Sequence, residues 1–345
     1  MTTQPVGVGL IGAGRIGSFH GESVARRLVD ADLLVIADPA PGAAEKLAGK
    51  LGTPKATTQV WELLDNPAVE AVIIASPARF HTNLVEQAAA AGKAVFVEKP
   101  MALTIADADR AIAAAKKAGV VLQVGFNRRW DQAFAEGRAA IEAGKVGKPQ
   151  LLRSLTRDPG PFGADPAKIP QWTIFYETLI HDFDTLLWLN EGARPVEVYA
   201  AAEALIRPDA KETGHLDTAV VTIRFDNGSI AVAEANFSAM YGYDIRGEVF
   251  GSAGMVTMGD VRRSSMTLFD KNCVSNETWR LDTHHFVAAY TAQLASFVAA
   301  VRSGNAQGPG GEDARSALAI ALACIESVRT GQPVQLRNVA SLEAA

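Results

Sequence analysis

A lysine followed by proline stands out among the residues that could take part in chemistry. Lys99 ends a β-forming run and precedes Pro100, within the stretch VFVEKPMALT at residues 95–104. An ammonium group at a strand end could donate a hydrogen bond to a hydroxyl that is losing hydride, and so stabilise the developing alkoxide charge. From position alone, a structural, solvated lysine is an equally good interpretation.

Three further ionisable residues share one face of a helix predicted over residues 171–190. Glu177, His181 and Asp184 are spaced by four and three positions, which places side chains on the same helix face. A histidine oriented by a carboxylate is the usual general base for removing a hydroxyl proton. A partly buried polar network and a metal site are the alternatives. No H-E-x-x-H or equivalent ligand set accompanies the stripe, so we expect no metal.

A glycine-rich loop near the N-terminus predicts a dinucleotide site. It reads Gly12-Ala13-Gly14-Arg15-Ile16-Gly17, follows the first strand candidate and opens a helix. The first glycine permits a tight turn, the second lets backbone amides approach a pyrophosphate, and the third allows close helix–strand contact. Asp38 ends the second strand about 20 residues later, where an acid binds the adenosine ribose. Asp38 would repel a 2′-phosphate and Pro39-Ala40 supply no cation, so NAD is favoured over NADP.

The first 125 residues alternate short apolar strands with alanine-rich helices. The strand candidates span residues 6–12, 33–38, 71–77, 94–100 and 120–126. Apolar strands separated by helices are typical of a parallel sheet covered on both faces, which predicts a doubly wound, Rossmann-type α/β domain. Ligands of such sheets collect beyond the carboxyl ends of the strands. The expected cofactor-side residues there are Ser76, Pro77, His81, Glu98 and Lys99. His20, in the first helix, is interpreted as a packing residue.

The pattern changes past about residue 150, to strands with hairpin signals at residues 226–228 and 251–254. It predicts an α+β domain whose large open sheet is mostly antiparallel and is covered on one face by helix 171–190. Two helices are expected near residues 285–303 and 312–330. The predicted division is an NAD-binding domain at 1–125 and a substrate-binding and oligomerisation domain at 126–345. Apolar residues on both sides of the sheet predict an oligomer interface on its outer face.

Composition excludes several classes of protein. The 345 residues suit two domains, and a net charge of −5 gives no basic surface for nucleic acid or an anionic membrane. No N-terminal leader pattern and no membrane-length apolar run occur. The two cysteines, Cys273 and Cys324, lie far apart, are expected to be buried, and have no metal-like spacing. We therefore expect a cytoplasmic protein.

Several motifs in one order carry a resemblance to a known family. They are the loop at residues 12–17, Glu98-Lys99-Pro100, GFNRR at 125–129, ETLIHDFD at 177–184, and YGYDIR at 241–246 ahead of EVFG at 248–251. From about residue 5 to 335, the chain resembles the glucose–fructose oxidoreductase/inositol dehydrogenase (Gfo/Idh/MocA) family. Within it, the helix motif and the YGYDIR segment resemble the inositol 2-dehydrogenase branch.

The resemblance implies a Rossmann domain, a C-terminal domain with a large open sheet, commonly a homotetramer packed through those sheets, and cyclitol or sugar substrates. It implies that Lys99 contacts the reacting hydroxyl, that His181 is the base, and that Glu177 takes the place of the branch's usual aspartate. The implied substrate-binding residues are Asn127, Arg128, Arg157, Trp172, Asp184 and Tyr243. Two departures bear on the substrate: Glu177 is one methylene longer than aspartate, and Gln171-Trp172-Thr173 stand where many relatives are glycine-rich.

These observations favour NAD-dependent oxidation of a secondary hydroxyl of a cyclitol, such as myo-inositol or a stereoisomer. One alternative keeps this mechanism and changes the substrate to a pyranose sugar or an aminocyclitol. Another is an NAD-binding regulatory protein without turnover, since a fold alone never proves activity. The presence of both Lys99 and His181 argues against the regulatory alternative.

Overall fold

The computed structural model describes residues 4–52, 55–160 and 169–338. Its first part alternates strands and helices. These are β1 (Val6–Ile11), α1 (Arg15–Arg27), β2 (Ala31–Ala37), α2 (Ala43–Leu51), β3 (Lys55–Thr57), α3 (Val60–Leu64), β4 (Ala71–Ile74), α4 (His81–Ala90), β5 (Ala94–Val97), α5 (Ile105–Ala118) and β6 (Leu122–Val124). Short 3₁₀ turns lie at Ala78–Phe80 and Asn127–Trp130.

The six strands of this part form one parallel sheet in the order β3-β2-β1-β4-β5-β6. This confirms the predicted doubly wound fold. Every residue of β1 is buried, because helices cover both faces of a sheet of this kind. The strands end earlier than predicted, at Ile74 in β4 and Val97 in β5. Ser76 and Lys99 consequently lie on loops beyond the carboxyl ends of those strands, where ligands of open parallel sheets bind.

The rest of the chain begins with a helix, a strand and a second helix. These are α6 (Gln132–Glu142), β7 (Pro149–Arg157), a π-helical segment (Ile174–Leu179) and α7 (Ile180–Leu189). Eight further strands and three helices follow. They are β8 (Pro195–Glu203), β9 (Thr218–Phe225), β10 (Ile230–Asn236), β11 (Asp244–Gly251), β12 (Met255–Met258), β13 (Leu268–Phe269), β14 (Val274–Ser275), α8 (Asp282–His285), α9 (Val287–Ser303), α10 (Gly311–Thr330) and, last, β15 (Val334–Gln335).

Seven of these strands form the second sheet, in the order β12-β11-β7-β10-β9-β8-β15. Only β7 and β10 pair in parallel, and the remaining pairs are antiparallel. Both predicted hairpins are present, joining β9 to β10 and β11 to β12. The prediction of a large, mostly antiparallel sheet is therefore confirmed.

The chain divides into two compact units, and the division differs from a single boundary at residue 125. The first unit takes in the chain up to Trp130 together with Ala288–Arg315, and the second holds Asp131–Val287 and the chain from Ser316 onward. Helix α9 belongs to the first unit because Leu294 and Phe297 lie in the same apolar core as Phe96. Contacts between segments so far apart in the chain leave no mark on local composition. The sequence therefore did not reveal that the chain returns to the first unit at residues 288–315.

Two smaller expectations can be compared with the structure. Cys324 is buried as expected, but Cys273 is exposed. Across residues 4–52, 55–160 and 169–338, no helix combines the length and apolar character needed to cross a membrane. A cytoplasmic location stays a prediction.

Candidate active site

The glycine-rich loop joins β1 to α1 at the carboxyl edge of the six-stranded sheet. Gly12 has a φ of 102°, which favours glycine, and a Cβ at Gly17 would lie 1.9 Å from the carbonyl oxygen of Gly12. A Cβ at Gly14 would meet nothing within 4 Å, and no side chain caps the first turn of α1. The helix N-terminus is therefore open to an anionic group, which fits a pyrophosphate. Arg15 and Ile16 form the first residues of that helix.

Asp38 follows β2 and holds its carboxylate against the glycine-rich loop. One oxygen accepts a hydrogen bond of 2.7 Å from the backbone N–H of Ala13, and the other accepts one of 2.9 Å from the N–H of Ala40. The carboxylate is thus fixed beside the position where the loop would hold a dinucleotide. A negative charge there suits a ribose with free hydroxyls and disfavours a 2′-phosphate.

The loop after β4 carries Ser76 and Pro77, and α4 begins at His81. His81 is buried, with Nδ1 2.8 Å from the carbonyl oxygen of Pro100 and Nε2 2.8 Å from that of Ser76. Both ring nitrogens therefore contact the backbone, and His81 joins the loops that follow β4 and β5. The predicted role of His81 at the cofactor site is consequently best understood as holding these loops.

Glu98 and Lys99 follow β5. Lys99 is partly exposed, whereas Glu98 is buried and places Oε1 2.7 Å from Nε2 of His20. Burial raises the pKa of the Glu98 carboxyl, but the hydrogen bond and charge of His20 and the charge of Lys99 outweigh it, so the pKa is lowered overall. The interpretation of His20 as a packing residue missed this pairing. The available signal was its place on the buried face of α1, since buried polar groups are almost always hydrogen-bonded.

Asn127 and Arg128 lie in the 3₁₀ turn after β6, and both are buried. The first unit therefore brings most of its predicted site residues to one edge of the parallel sheet. The loop at residues 12–17 follows β1, Asp38 follows β2, Ser76 follows β4, Lys99 follows β5 and Asn127-Arg128 follow β6. Every one of these positions comes after the carboxyl end of a strand, where doubly wound sheets bind their ligands.

The second unit carries the predicted Glu177, His181 and Asp184. Their helix is not α-helical throughout, because Glu177 lies in the π-helical segment while His181 and Asp184 lie in α7. A π-helix closes i→i+5 hydrogen bonds, so each residue turns through a smaller angle than in an α-helix. Glu177 and His181 are consequently more nearly in line along the helix axis than α-helical spacing predicts. Asp184 is buried, and Glu177 and His181 are partly exposed.

Asp182, which the sequence analysis passed over, fixes α7 to the sheet. Its carboxylate is fully buried and accepts hydrogen bonds of 2.5 Å from the Ser154 hydroxyl and 2.8 Å from the Thr156 hydroxyl. Both hydroxyls come from the face of β7 that meets α7. His181 is the preceding residue, so this contact helps to determine where the histidine lies.

Arg157 does not join the predicted substrate-binding residues of α7. Side chains alternate between the two faces of a strand, and Ser154 and Thr156 already point toward α7, so Arg157 points to the opposite face. There it forms ion pairs with Glu234 on β10 and with Asp244, 3.7 Å away on β11. Strand alternation therefore places the Arg157 side chain on the face of the sheet opposite α7, and its substrate-binding role stays a prediction.

Trp172 and Tyr243 lie in the second unit as well. Trp172 has a φ of 59°, which is rare for a residue other than glycine. Its backbone N–H donates a 3.0 Å hydrogen bond to the carbonyl oxygen of Gly214. The guanidinium of Arg329 stacks 5.3 Å from the centre of its ring. Tyr243 pairs with Trp279 through a 2.8 Å backbone hydrogen bond. By alternation from Asp244, Tyr243 is on the α7 side of the sheet.

The comparisons with known proteins agree with this geometry. A family model described as an oxidoreductase family with an NAD-binding Rossmann fold matches residues 6–126, and the GFO/IDH/MocA C-terminal domain matches residues 134–257. The myo-inositol 2-dehydrogenase of Thermotoga maritima is 37% identical over 96% of this chain and 99% of that protein. The chain belongs to the GFO/IDH/MocA family.

Two further known proteins are similar to this chain. The NAD(+)-dependent scyllo-inositol 2-dehydrogenase of Bacillus subtilis is 35% identical over 95% of both chains. A crystal structure of scyllo-inositol dehydrogenase from Lactobacillus casei, with bound NAD(H) and scyllo-inositol, has a TM-score of 0.92 and 25% identity, and covers 97% of this chain and all of that one.

As a GFO/IDH/MocA protein with inositol 2-dehydrogenases among its relatives, the chain is an NAD-dependent oxidoreductase that acts on CH–OH groups. The loop at residues 12–17 and Asp38 are the residues that fit the cofactor. Within the described parts of this family member, no group of three or more histidine, cysteine, aspartate or glutamate residues is arranged to hold a metal ion.

Proposed function

We propose that this protein oxidises a secondary hydroxyl of a cyclitol, myo-inositol or a stereoisomer, to the ketone. The observation that carries the proposal is that the loop at residues 12–17, Asp38 and Lys99 follow the carboxyl ends of β1, β2 and β5, three strands of one parallel sheet. This arrangement puts a cation at the edge where a dinucleotide binds. The choice of a cyclitol is supported by relatives named as myo- and scyllo-inositol dehydrogenases at 37% and 35% identity.

In the proposed mechanism one side chain accepts a proton, and another stabilises the charge that develops on the reacting oxygen. His181 accepts the proton of the reacting hydroxyl, and its place on α7 is fixed by the adjacent Asp182. The Lys99 ammonium donates a hydrogen bond to the reacting oxygen and stabilises the charge that develops there. Glu177, in the π-helical segment, orients His181. Bound NAD supplies the hydride acceptor.

Substrate recognition falls to polar side chains with several hydrogen-bonding groups. Asn127 and Arg128 are buried at the edge of the first sheet, and Asp184 is buried on α7. Amide, guanidinium and carboxylate groups together can both donate to and accept from the hydroxyls of a polyol. Tyr243, on the α7 side of the second sheet, supplies a further hydroxyl. A cyclitol presents a ring of hydroxyls, so several such contacts are needed to select one stereoisomer.

A pyranose sugar or an aminocyclitol is the second candidate substrate, favoured by one observation. Trp172 is held in a left-handed backbone conformation and stacked under Arg329, so its large ring has a defined place ahead of the π-helical segment. An aromatic ring in that position would suit the flat, apolar face of a sugar ring. Glu177, longer than aspartate by one methylene, would change the same region.

The outer face of the seven-stranded sheet supports assembly into a homotetramer. Large apolar side chains are exposed there on five of the seven strands, β8 to β12: Tyr199, Val220, Ile230, Phe250 and Met255. Phe250 and Ile230 both flank Leu151 in one row across β11, β7 and β10. An apolar surface on a wide sheet is a liability unless another chain covers it, and a second copy offers the same surface in a two-fold arrangement.

The experiment is to incubate the protein with NAD and a panel of inositol stereoisomers, aminocyclitols and pyranoses, and to follow NADH absorbance. Turnover of at least one inositol with the highest kcat/KM of the panel is the expected result. A higher kcat/KM for a pyranose or an aminocyclitol would replace the cyclitol as substrate. NAD binding without turnover of any compound would instead support a regulatory protein.

A further inference from the structure

Each sequence neighbour of Lys99 is held by a buried histidine, and the two histidines come from different helices. Glu98 contacts His20 of α1, and Pro100 contacts His81 of α4. We infer that His20 and His81 are positioning residues that together fix the backbone of Lys99, so that its ammonium group meets the reacting oxygen. This inference rests on the proposed function of Lys99, and it adds two residues that do not themselves touch substrate or cofactor.

The contact on the Glu98 side reaches the backbone of Lys99 itself. Glu98 Oε1 accepts a hydrogen bond of 2.7 Å from His20 Nε2, and Oε2 accepts one of 3.2 Å from the N–H of Lys99. His20 is fully buried, with the rings of Phe96 and Tyr290 packed edge-on at 5.5 Å and 5.8 Å between centres. The carboxylate therefore connects an immobilised ring to the peptide group of Lys99.

The carboxylate of Glu98 has little freedom to move away from this arrangement. Gly125, after β6, leaves the space that it occupies, since a Cβ there would lie 2.9 Å from Oε1. The ionisable groups that face Glu98 are His20 from α1 and Lys99 from its own loop, and each lowers the pKa of the carboxyl against the opposing effect of burial. The attraction between Glu98 and Lys99 acts on both partners, so it also favours the charged form of Lys99.

On the Pro100 side, His81 contacts the backbone through both of its ring nitrogens. Its two ring nitrogens each lie 2.8 Å from a backbone carbonyl oxygen, those of Pro100 and Ser76. Carbonyl oxygens only accept hydrogen bonds, so two simultaneous bonds require both nitrogens to donate, which makes the ring a cation. The ring of His81 ties the loop after β5 to the loop after β4 at the edge of the sheet.

The two contacts matter because a lysine side chain is long and flexible. The ammonium group sits on a four-carbon stem, so it finds a defined position only if its backbone is fixed. Displacing a catalytic group by about 1 Å can cost about 100-fold in rate. Fixing the residues on both sides of Lys99 limits such displacement, while the lysine itself supplies the chemistry.

The first test compares two substitutions of His20. His20→Gln keeps an N–H donor near the position of Nε2, whereas His20→Leu removes the donor and leaves Glu98 buried. For His20→Leu we expect kcat to fall about 10- to 100-fold, with the dissociation constant of NAD unchanged and with His20→Gln recovering much of the loss. Equal kcat for both variants and the wild type, measured per folded molecule, would overturn the role of His20.

The pH profile separates positioning from a general loss of stability. In His20→Leu the carboxyl of Glu98 loses the hydrogen bond and charge that lower its pKa, so burial raises that pKa. Glu98 then becomes neutral as the pH falls through the raised pKa, and the acid limb of kcat should move to higher pH. Glu98→Gln in the same background should abolish this movement. An acid limb identical to that of the wild type would contradict the inference.

The second test uses two amides that each replace one nitrogen of His81. His81→Asn keeps a donor near Nδ1, toward Pro100, and His81→Gln keeps one near Nε2, toward Ser76. Because the Pro100 contact is the one next to Lys99, His81→Asn should retain more kcat than His81→Gln. The reverse order, or no difference, would count against the role of His81. His284→Ala, an exposed histidine, is the control and should leave kcat unchanged.

A measurement on the wild-type protein keeps the inference testable if the variants do not fold. ¹⁵N NMR of the histidine rings should show both nitrogens of His81 protonated near pH 7, close to where a free histidine is half neutral. A neutral His81 ring would overturn its part of the inference. This result is independent of turnover, so absence of cyclitol oxidation would refute the proposed function while leaving the NMR result to judge the part of the inference that concerns His81.

Discussion

Asp182 accepts a 2.5 Å hydrogen bond from the hydroxyl of Ser154, 28 positions earlier in the chain. Thr156 donates a second bond to the same carboxylate, at 2.8 Å. The three residues join α7 to β7 within a fully buried region. Since His181 immediately precedes Asp182, the contact sets the height and rotation of the proposed base above the sheet.

Asp182→Ala should therefore lower the free energy of unfolding by about 2–4 kcal/mol, because two buried hydroxyls lose a charged acceptor. The midpoint of urea-induced unfolding measures the change. Asp209→Ala, on an exposed 3₁₀ turn, removes a carboxylate without burying any partner and should leave the midpoint nearly unchanged. Equal midpoints for the two variants would show that the contact does not stabilise the fold.

Cofactor preference should follow Asp38. The wild type should use NAD with a higher kcat/KM than NADP, because the carboxylate beside the glycine-rich loop would repel a 2′-phosphate. Replacing Asp38 with alanine and Pro39 with arginine should move the preference toward NADP. Steady-state kinetics with both cofactors measure the ratio. A wild-type enzyme that uses NADP equally well would refute the assignment of Asp38.

Lys99→Ala should lower kcat about 10²- to 10³-fold, the usual cost of losing a donor that stabilises charge in the transition state. The dissociation constant of NAD, measured by fluorescence titration, should change little. Lys46→Ala, which removes an exposed lysine from α2, is the matched control. Near-normal kcat for Lys99→Ala on the best substrate would make the lysine structural and the mechanism wrong.

His181→Ala should reduce kcat by a comparable factor, with partial recovery at high pH. Hydroxide can take over the role of the missing base, so the rate of the variant should rise with pH beyond the point where the wild type levels off. A pH–rate profile of both proteins measures this. If the variant keeps the wild-type profile, another group accepts the proton.

The apolar row on the outer face of the second sheet should control assembly. Replacing both Ile230 and Phe250 with lysine puts charge where the proposed interface is apolar, and should convert the assembly to smaller species. Sedimentation velocity at micromolar concentration measures the change. Val29→Lys, far more exposed and in the first unit, should leave assembly intact. A wild-type protein that sediments as a stable monomer would refute the interface.

Local patterns in the sequence predicted the parts of the site that depend on neighbouring residues. The glycines at positions 12, 14 and 17 each meet a local steric requirement, and the length of one β-α-β unit predicts the position of Asp38. The strands of the parallel sheet were recognisable because burial on both faces demands continuous apolar runs. These features predict that Lys99 lies at the edge of the sheet.

The sequence does not fully predict which face of a strand or helix each residue occupies. Both sets of alternating residues on β7 contain apolar side chains, so the sequence did not say which set meets α7. The structure shows that Ser154 and Thr156 do, and Arg157 is consequently on the other face. The π-helical segment altered the phase between Glu177 and His181 in the same way, because a wider turn has no signature in the hydrophobic pattern.

By itself, the sequence determined the Rossmann domain and the cofactor, because these follow from local periodicity and from short motif spacings, and it predicted Lys99 and His181 as site residues. Only the tertiary structure decided that His20 supports Glu98, 78 positions away, that His81 bridges two loops, and that α9 packs into the first unit. Such contacts form when distant segments pack together, and a buried polar group then takes whatever partner the packing brings within reach. The local sequence shows that a buried polar group needs a hydrogen-bond partner, and the tertiary structure determines which residue that partner is.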